Sequence, residues 1–154
     1  MSSAAYDAIV VGARCAGSPV AMLRARAGFR VLLLDRATFP SDTVSTHAIT
    51  GDGSERLQRW GLLDAVLATG CPPVHSVSFG LEGQTYSFSP PLMNLCPRRF
   101  AIDTVLVEAA AAAGVEVRQG CSFQRLLADD GRVTGVRYRA ADGELIDAHC
   151  QVVV

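Results

Sequence analysis

Tyr6-Asp7-Ala8-Ile9-Val10-Val11-Gly12-Ala13-Arg14-Cys15-Ala16-Gly17-Ser18-Pro19-Val20, together with Val31-Leu32-Leu33-Leu34-Asp35, decides the fold of this chain. Tyr6 to Val11 is a short apolar run bounded by Gly12, the pattern of a strand buried on both faces. From Ala16 to Ala27 the apolar positions Ala16, Val20, Leu23 and Ala27 recur at helical spacing. Pro19 falls in the first turn of that helix, where its missing N–H does little harm, and Gly28 stops it. Val31 to Leu34 reads as a second buried strand closed by Asp35. Strand, glycine turn, helix and strand within about thirty residues make a βαβ unit, whose crossover is expected to be right-handed.

Gly12-Ala13-Arg14-Cys15-Ala16-Gly17 joins that strand to that helix, the place where a dinucleotide fold needs its glycine turn. Gly12 permits the tight turn and Gly17 lets the helix pack close on the strand. The N–H groups at the helix start point at a pyrophosphate, and the helix dipole adds about 0.3–1 kcal/mol for an anion. An acid about twenty residues further on, here Asp35, accepts hydrogen bonds from ribose hydroxyls. The middle glycine of the fingerprint is replaced by Arg14. Its Cβ either swings outward or narrows the site, and its guanidinium could also bind the cofactor through bonds worth about 1.5–3 kcal/mol each. The plain alternative is a glycine turn in an α/β domain that holds no cofactor, with Asp35 merely ending a strand.

Working outward, residues 36–51 show no period and carry Pro40, Ser41, Asp42, Thr43, Ser45 and Thr46, a loop of the length that often carries function. Asp52 to Trp60 and Leu62 to Thr69 read as helices ended by Gly61 and Gly70. Val74 to Phe79 and Gln84 to Phe88 alternate like an antiparallel pair, an inserted hairpin at about residues 74–90. Asp103 is placed to cap a helix through Ala113, ended by Gly114. Val115 to Arg118 is a further strand. Ser122 to Ala128, Arg132 to Ala140 and Glu144 to Val154 form a meander over about residues 122–154, turning at Asp130-Gly131 and Asp142-Gly143. The fold expected is α/β and Rossmann-like: one dinucleotide-binding domain over residues 1–154 with a βαβ start and an antiparallel meander, incomplete at the C-terminus. The last strand is expected to present an open sheet edge through which chains could self-associate.

Composition narrows the chemistry. The chain has 154 residues, 49% hydrophobic and 19% charged, with net charge −1. That balance gives no electrostatic footprint for nucleic acid. No apolar run reaches the length of a membrane span, and no signal peptide is read at the N-terminus. All 14 basic residues are arginine, so neither a Schiff-base lysine nor a phosphate-loop lysine exists in this chain. Cys15, Cys71, Cys96, Cys121 and Cys150 are scattered without a CxxC pair, which argues against a zinc site and for reduced cysteines in a cytoplasmic protein. His75 and His149 read as structural or exposed.

The stretches Asp7 to Ser18, Leu32 to Arg36, Phe39-Pro40-Ser41-Asp42 and Ser45-Thr46-His47 resemble FAD-dependent monooxygenases and reductases. The group is that of the para-hydroxybenzoate hydroxylase, flavin halogenase and geranylgeranyl reductase families. The resemblance runs along the whole chain and is most specific over residues 6–63. It implies that Gly12, Ala13, Arg14, Cys15, Ala16 and Gly17 surround the ADP diphosphate of FAD. It further implies Asp35 on the adenosine ribose, where such families usually carry Glu, and Arg36 beside the adenine or its ribose. Ser45, Thr46 and His47 match the loop that runs near the flavin ring. Arg99, opening an Arg-x-x-x-Asp-x-x-Leu pattern with Asp103 and Leu106, matches a position at the ribityl or phosphate region. No catalytic residue and no metal ligand is assigned.

The same resemblance implies a second flavin motif, of Gly-Ala-Asp-Gly type, directly after a strand like Cys150 to Val154. The chain is therefore expected to be the N-terminal part of a flavoprotein whose full-length form takes electrons from NAD(P)H and oxygenates or reduces a small organic substrate. One alternative is a non-catalytic nucleotide-binding module or gene remnant that needs a partner chain. Another is an NAD(P)-dependent dehydrogenase with Arg36 near a ribose phosphate, which the Phe39-Pro40 and Ser45-Thr46-His47 segments disfavour.

Overall fold

The computed structural model describes residues 6–45 and 48–154. In chain order the elements begin with β1 (Tyr6–Val11), α1 (Gly17–Arg26), β2 (Val31–Leu34), α2 (Gly51–Trp60) and α3 (Leu63–Ala68). Then come β3 (Pro73–Val74), β4 (Val77–Leu81), β5 (Gln84–Phe88), β6 (Asn94–Leu95) and α4 (Arg99–Ala112). The last four are β7 (Glu116–Arg118), β8 (Ser122–Asp129), β9 (Arg132–Arg139) and β10 (Leu145–Val153). The chain divides into two units, one running to Ser41 and resuming over Leu106–Val154, the other Asp42–Val105.

The first unit is built on a six-stranded sheet in the order β7-β2-β1-β10-β9-β8. Ile9, Val10, Leu32, Leu33 and Leu34 are at most 1% exposed, as uninterrupted apolar strands covered on both faces must be. α1 packs on β1 and β2 and buries Ala21 and Met22 completely. A core of Ile9, Leu32, Leu34, Cys121, Val136, Tyr138, Ala148 and Cys150 joins the parallel strands to the meander. Each large apolar side chain sealed there contributes about 1.5–3 kcal/mol.

β10 belongs to two ladders. Its first half pairs antiparallel with β9, from Leu145↔Arg139 to His149↔Gly135. Its second half pairs parallel with β1, through Tyr6↔Cys150, Ala8↔Val152 and Ile9↔Val153. The expectation of an open edge at this strand is therefore corrected: β10 lies between β1 and β9, and the sheet's edges are β7 and β8. The meander itself follows the expected strands. At its Asp130-Gly131 turn both residues have positive φ (46° and 75°), the twist that two-residue hairpin loops require.

In the second unit, Leu57 of α2 and Val66 of α3 are buried. β4 and β5 form a hairpin from Val77↔Phe88 to Leu81↔Gln84. The hairpin starts three residues later than expected, because Val74 pairs instead with Asn94 in the short β3–β6 ladder. A second correction concerns α4, which starts at Arg99 rather than after an Asp103 cap. Asp103 is wholly buried one turn into the helix, and its carboxylate takes the Arg99 guanidinium. None of the five cysteines forms a disulfide; Cys71, Cys121 and Cys150 are buried, Cys15 and Cys96 exposed. Among the described residues no helix is long and apolar enough to cross a membrane.

Candidate dinucleotide-binding site

The turn between β1 and α1 is held by its own backbone and by one carboxylate. The Gly12 N–H donates to the Leu34 carbonyl at 2.7 Å, which lays the turn against the end of β2. Gly12 has φ +108°, a conformation L side chains rarely adopt, although a Cβ would meet nothing within 4 Å. Gly17 is needed for the opposite reason. Its backbone is ordinary, but an ideal Cβ would stand 1.8 Å from the Gly12 carbonyl oxygen. The Ser18 hydroxyl, fully buried, donates to the Ala13 carbonyl at 3.0 Å and closes the turn from beneath.

Asp35 is the second fixture. Its Oδ2 accepts the Ala13 N–H and its Oδ1 the Ala37 N–H, each at 2.7 Å. One carboxylate thus ties the glycine turn to the turn that follows β2. It is 9% exposed, and with two bonds accepted it retains lone pairs for further donors such as sugar hydroxyls.

The helix end is left to suit an anion. Ala16 at the N-cap makes no side-chain cap bond, and no acidic residue stands in the first turn of α1. First-turn N–H groups have no partner within their own helix, and the macrodipole there favours negative charge. A helix start with no acidic residue in its own first turn suits the diphosphate of a dinucleotide. The Arg14 guanidinium reaches the segment after β2: it stacks on Phe39, 5.3 Å from the ring centre, and donates to the Ser41 hydroxyl at 3.2 Å.

The remaining expected residues fall elsewhere. Arg36 follows Asp35 and is exposed. Ser45, exposed, and Arg99 belong to the second unit. There the Arg99 guanidinium forks onto Asp103, with Nε 3.1 and 3.2 Å from the two oxygens. Arg99 is 17% and Asp103 0% exposed, so a buried carboxylate meets a partly buried guanidinium, and a carboxylate so placed needs its cation. Arg98, beside it, is 79% exposed and pairs with Asp42. The bond from Arg98 and one from the Thr43 N–H hold the Asp42 carboxyl below the usual carboxylate range. Thr46 and His47 lie outside the described residues. Sequence reasoning gave no role to Phe39, Ser41 or Ser18. Phe39 and Ser41 stand inside the resembling segment, but a side-chain contact across 27 positions leaves no local pattern to read.

Comparison with known proteins bears on this arrangement. A family model described as an FAD binding domain matches residues 5–154. Digeranylgeranylglycerophospholipid reductase 2 of Methanopyrus kandleri is 33% identical over 144 residues, covering 90% of this chain and 34% of its own length. Squalene monooxygenase SE2 of Panax ginseng is 29% identical over 150 residues, covering 92% of this chain and 27% of its own length. The solved structure of the myxobacterial chondrochloren halogenase CndH, a variant of FAD-dependent halogenases, matches with TM-score 0.86 at 27% identity, over 96% of this chain and 36% of that one. The chain spans about a third or less of the length of these relatives. With a family match along nearly its whole length, it belongs to the FAD binding domain family.

Proposed function

We propose that this chain binds FAD through the turn after β1 and serves a cytoplasmic, NAD(P)H-dependent monooxygenase or reductase that acts on a small organic substrate. The observation that carries the reading is the Asp35 carboxylate joined to the Ala13 N–H beside an uncapped helix start. In this reading the main chain of Gly12 to Gly17 grips the diphosphate. Asp35 receives the adenosine ribose with its remaining lone pairs, and Arg36 flanks the adenine. Ser45, Thr46 and His47 run along the isoalloxazine, and Arg99 attends the ribityl or phosphate region. FAD, when bound, supplies the redox chemistry, while protein groups bind it, orient it and exclude water. In this reading electrons come from NAD(P)H in the whole protein.

Calorimetric titration of the purified chain with FAD and, separately, with NADPH tests this. FAD is expected to bind with quenching of its fluorescence, and NADPH to bind more weakly. Tight NADPH binding without FAD binding would replace the reading with that of a nicotinamide dehydrogenase.

A further inference from the structure

Arg14 stands where a dinucleotide fingerprint carries its middle glycine, and its side chain has a defined destination. Its planar head covers the Phe39 ring, while Nη2 and Nη1 donate to the Ser41 hydroxyl at 3.2 Å and the Ser41 carbonyl at 3.4 Å. The same segment is tied from its other side. The Phe39 N–H donates to Gln119 Oε1 at 2.6 Å, and the Gly120 N–H donates to the Ala37 carbonyl at 3.2 Å. All of these groups lie within the first unit.

We propose that Arg14 is a positioning residue for the cofactor: it clasps the Phe39–Ser41 segment to the glycine turn, and so holds residues 36–41 in the shape that receives the adenosine end of FAD. This rests on the reading of the turn as the FAD site. The Phe39 ring face and the two Ser41 oxygens suit a planar group that stacks and donates, so the clasp works through shape and directed donors. A planar fork can stack and donate at once, which an ammonium cannot, so lysine is a poor replacement.

The test uses the full chain and its Arg14→Ala and Arg14→Lys variants, each checked by thermal melting. FAD affinity is read by flavin fluorescence at low and high salt, and amide hydrogen exchange at residues 37–41 is read without FAD. Arg14→Ala is expected to weaken FAD binding about tenfold, equally at both salts. Arg14→Lys is expected to recover only a minor part of that loss. Ala37 and Phe39 amides are expected to exchange faster in both variants. Full recovery by lysine, with a loss seen only at low salt, would assign Arg14 to the diphosphate and overturn the clasp. Unchanged exchange, or unchanged affinity in Arg14→Ala, would overturn it as well. If the unaltered chain fails to bind FAD, the site reading falls by itself, and the exchange measurement still decides whether the clasp exists.

Discussion

At Gly17 a single methyl group decides whether the turn can close. The added Cβ would stand 1.8 Å from the Gly12 carbonyl oxygen and 3.0 Å from Val10 Cγ1. Neither neighbour is the far end of a flexible side chain, so the helix must move off the strand. Gly17→Ala is expected to cost about 1–3 kcal/mol in urea unfolding and to abolish FAD binding at concentrations that saturate the unaltered chain. The need for glycine here was legible from spacing alone, since strand, turn and helix left no other place for it. The work of Asp35 was legible only in part. Its position at the end of β2 pointed to a sugar contact, whereas its two bonds to the Ala13 and Ala37 N–H groups depend on how two turns meet in space. Arg14 was the least legible, because its side chain meets Phe39 and Ser41, which no local period connects to it.

Elements bring side chains together that the sequence keeps far apart. Tyr6 on β1 donates its hydroxyl to Glu116 on β7 at 2.7 Å, and Arg118 on β7 donates to both Glu116 and the buried Tyr138 of β9. Burial, and then the bond to the Glu116 carboxylate, push the Tyr6 hydroxyl up to about 12 from 10.0. For Glu116 burial acts upward, but the bonds from Tyr6 and Arg118 outweigh it and hold the carboxyl below its ordinary value. The signs follow by linkage. A raised tyrosine stabilises fully below pH 10, and that contribution is lost as pH climbs from 10.0 towards about 12. Urea midpoints measured across that window are expected to fall, and Tyr6→Phe is expected to shallow the fall. A Tyr6→Phe curve parallel to the unaltered one would refute the linkage. Elements themselves were largely legible, because apolar periods and glycine stops are local signals: β1, α1, β2 and the meander strands lie within a residue or two of their expected ends. The start of α4 was not. Asp103 has the chemistry of a cap, and only its burial beside Arg99 shows the carboxylate employed within the helix. Val74 likewise read as hairpin strand until Asn94 claimed it.

Across the whole molecule, the continuity of the large sheet rests on β10. Its parallel half supplies the ladder for β1 and its antiparallel half the ladder for β9. Val152, paired with Ala8, sits in the parallel half. Proline there removes a ladder donor from an interior strand. Val152→Pro is expected to destabilise the chain by more than about 3 kcal/mol, above the common range for point substitutions, with lost secondary structure in circular dichroism as the readout. An interior position for this strand was not legible, since a run ending in three valines has the same appearance at an edge and at a centre. The shared strand also sets a timetable for the newborn polypeptide. Tyr6 leaves the ribosome well before its ladder partner Cys150, which stands 144 positions later in the sequence. At about 5–20 residues per second, that leaves β1 without one neighbour for on the order of ten seconds, an interval in which a chaperone or a wrong strand competes for it.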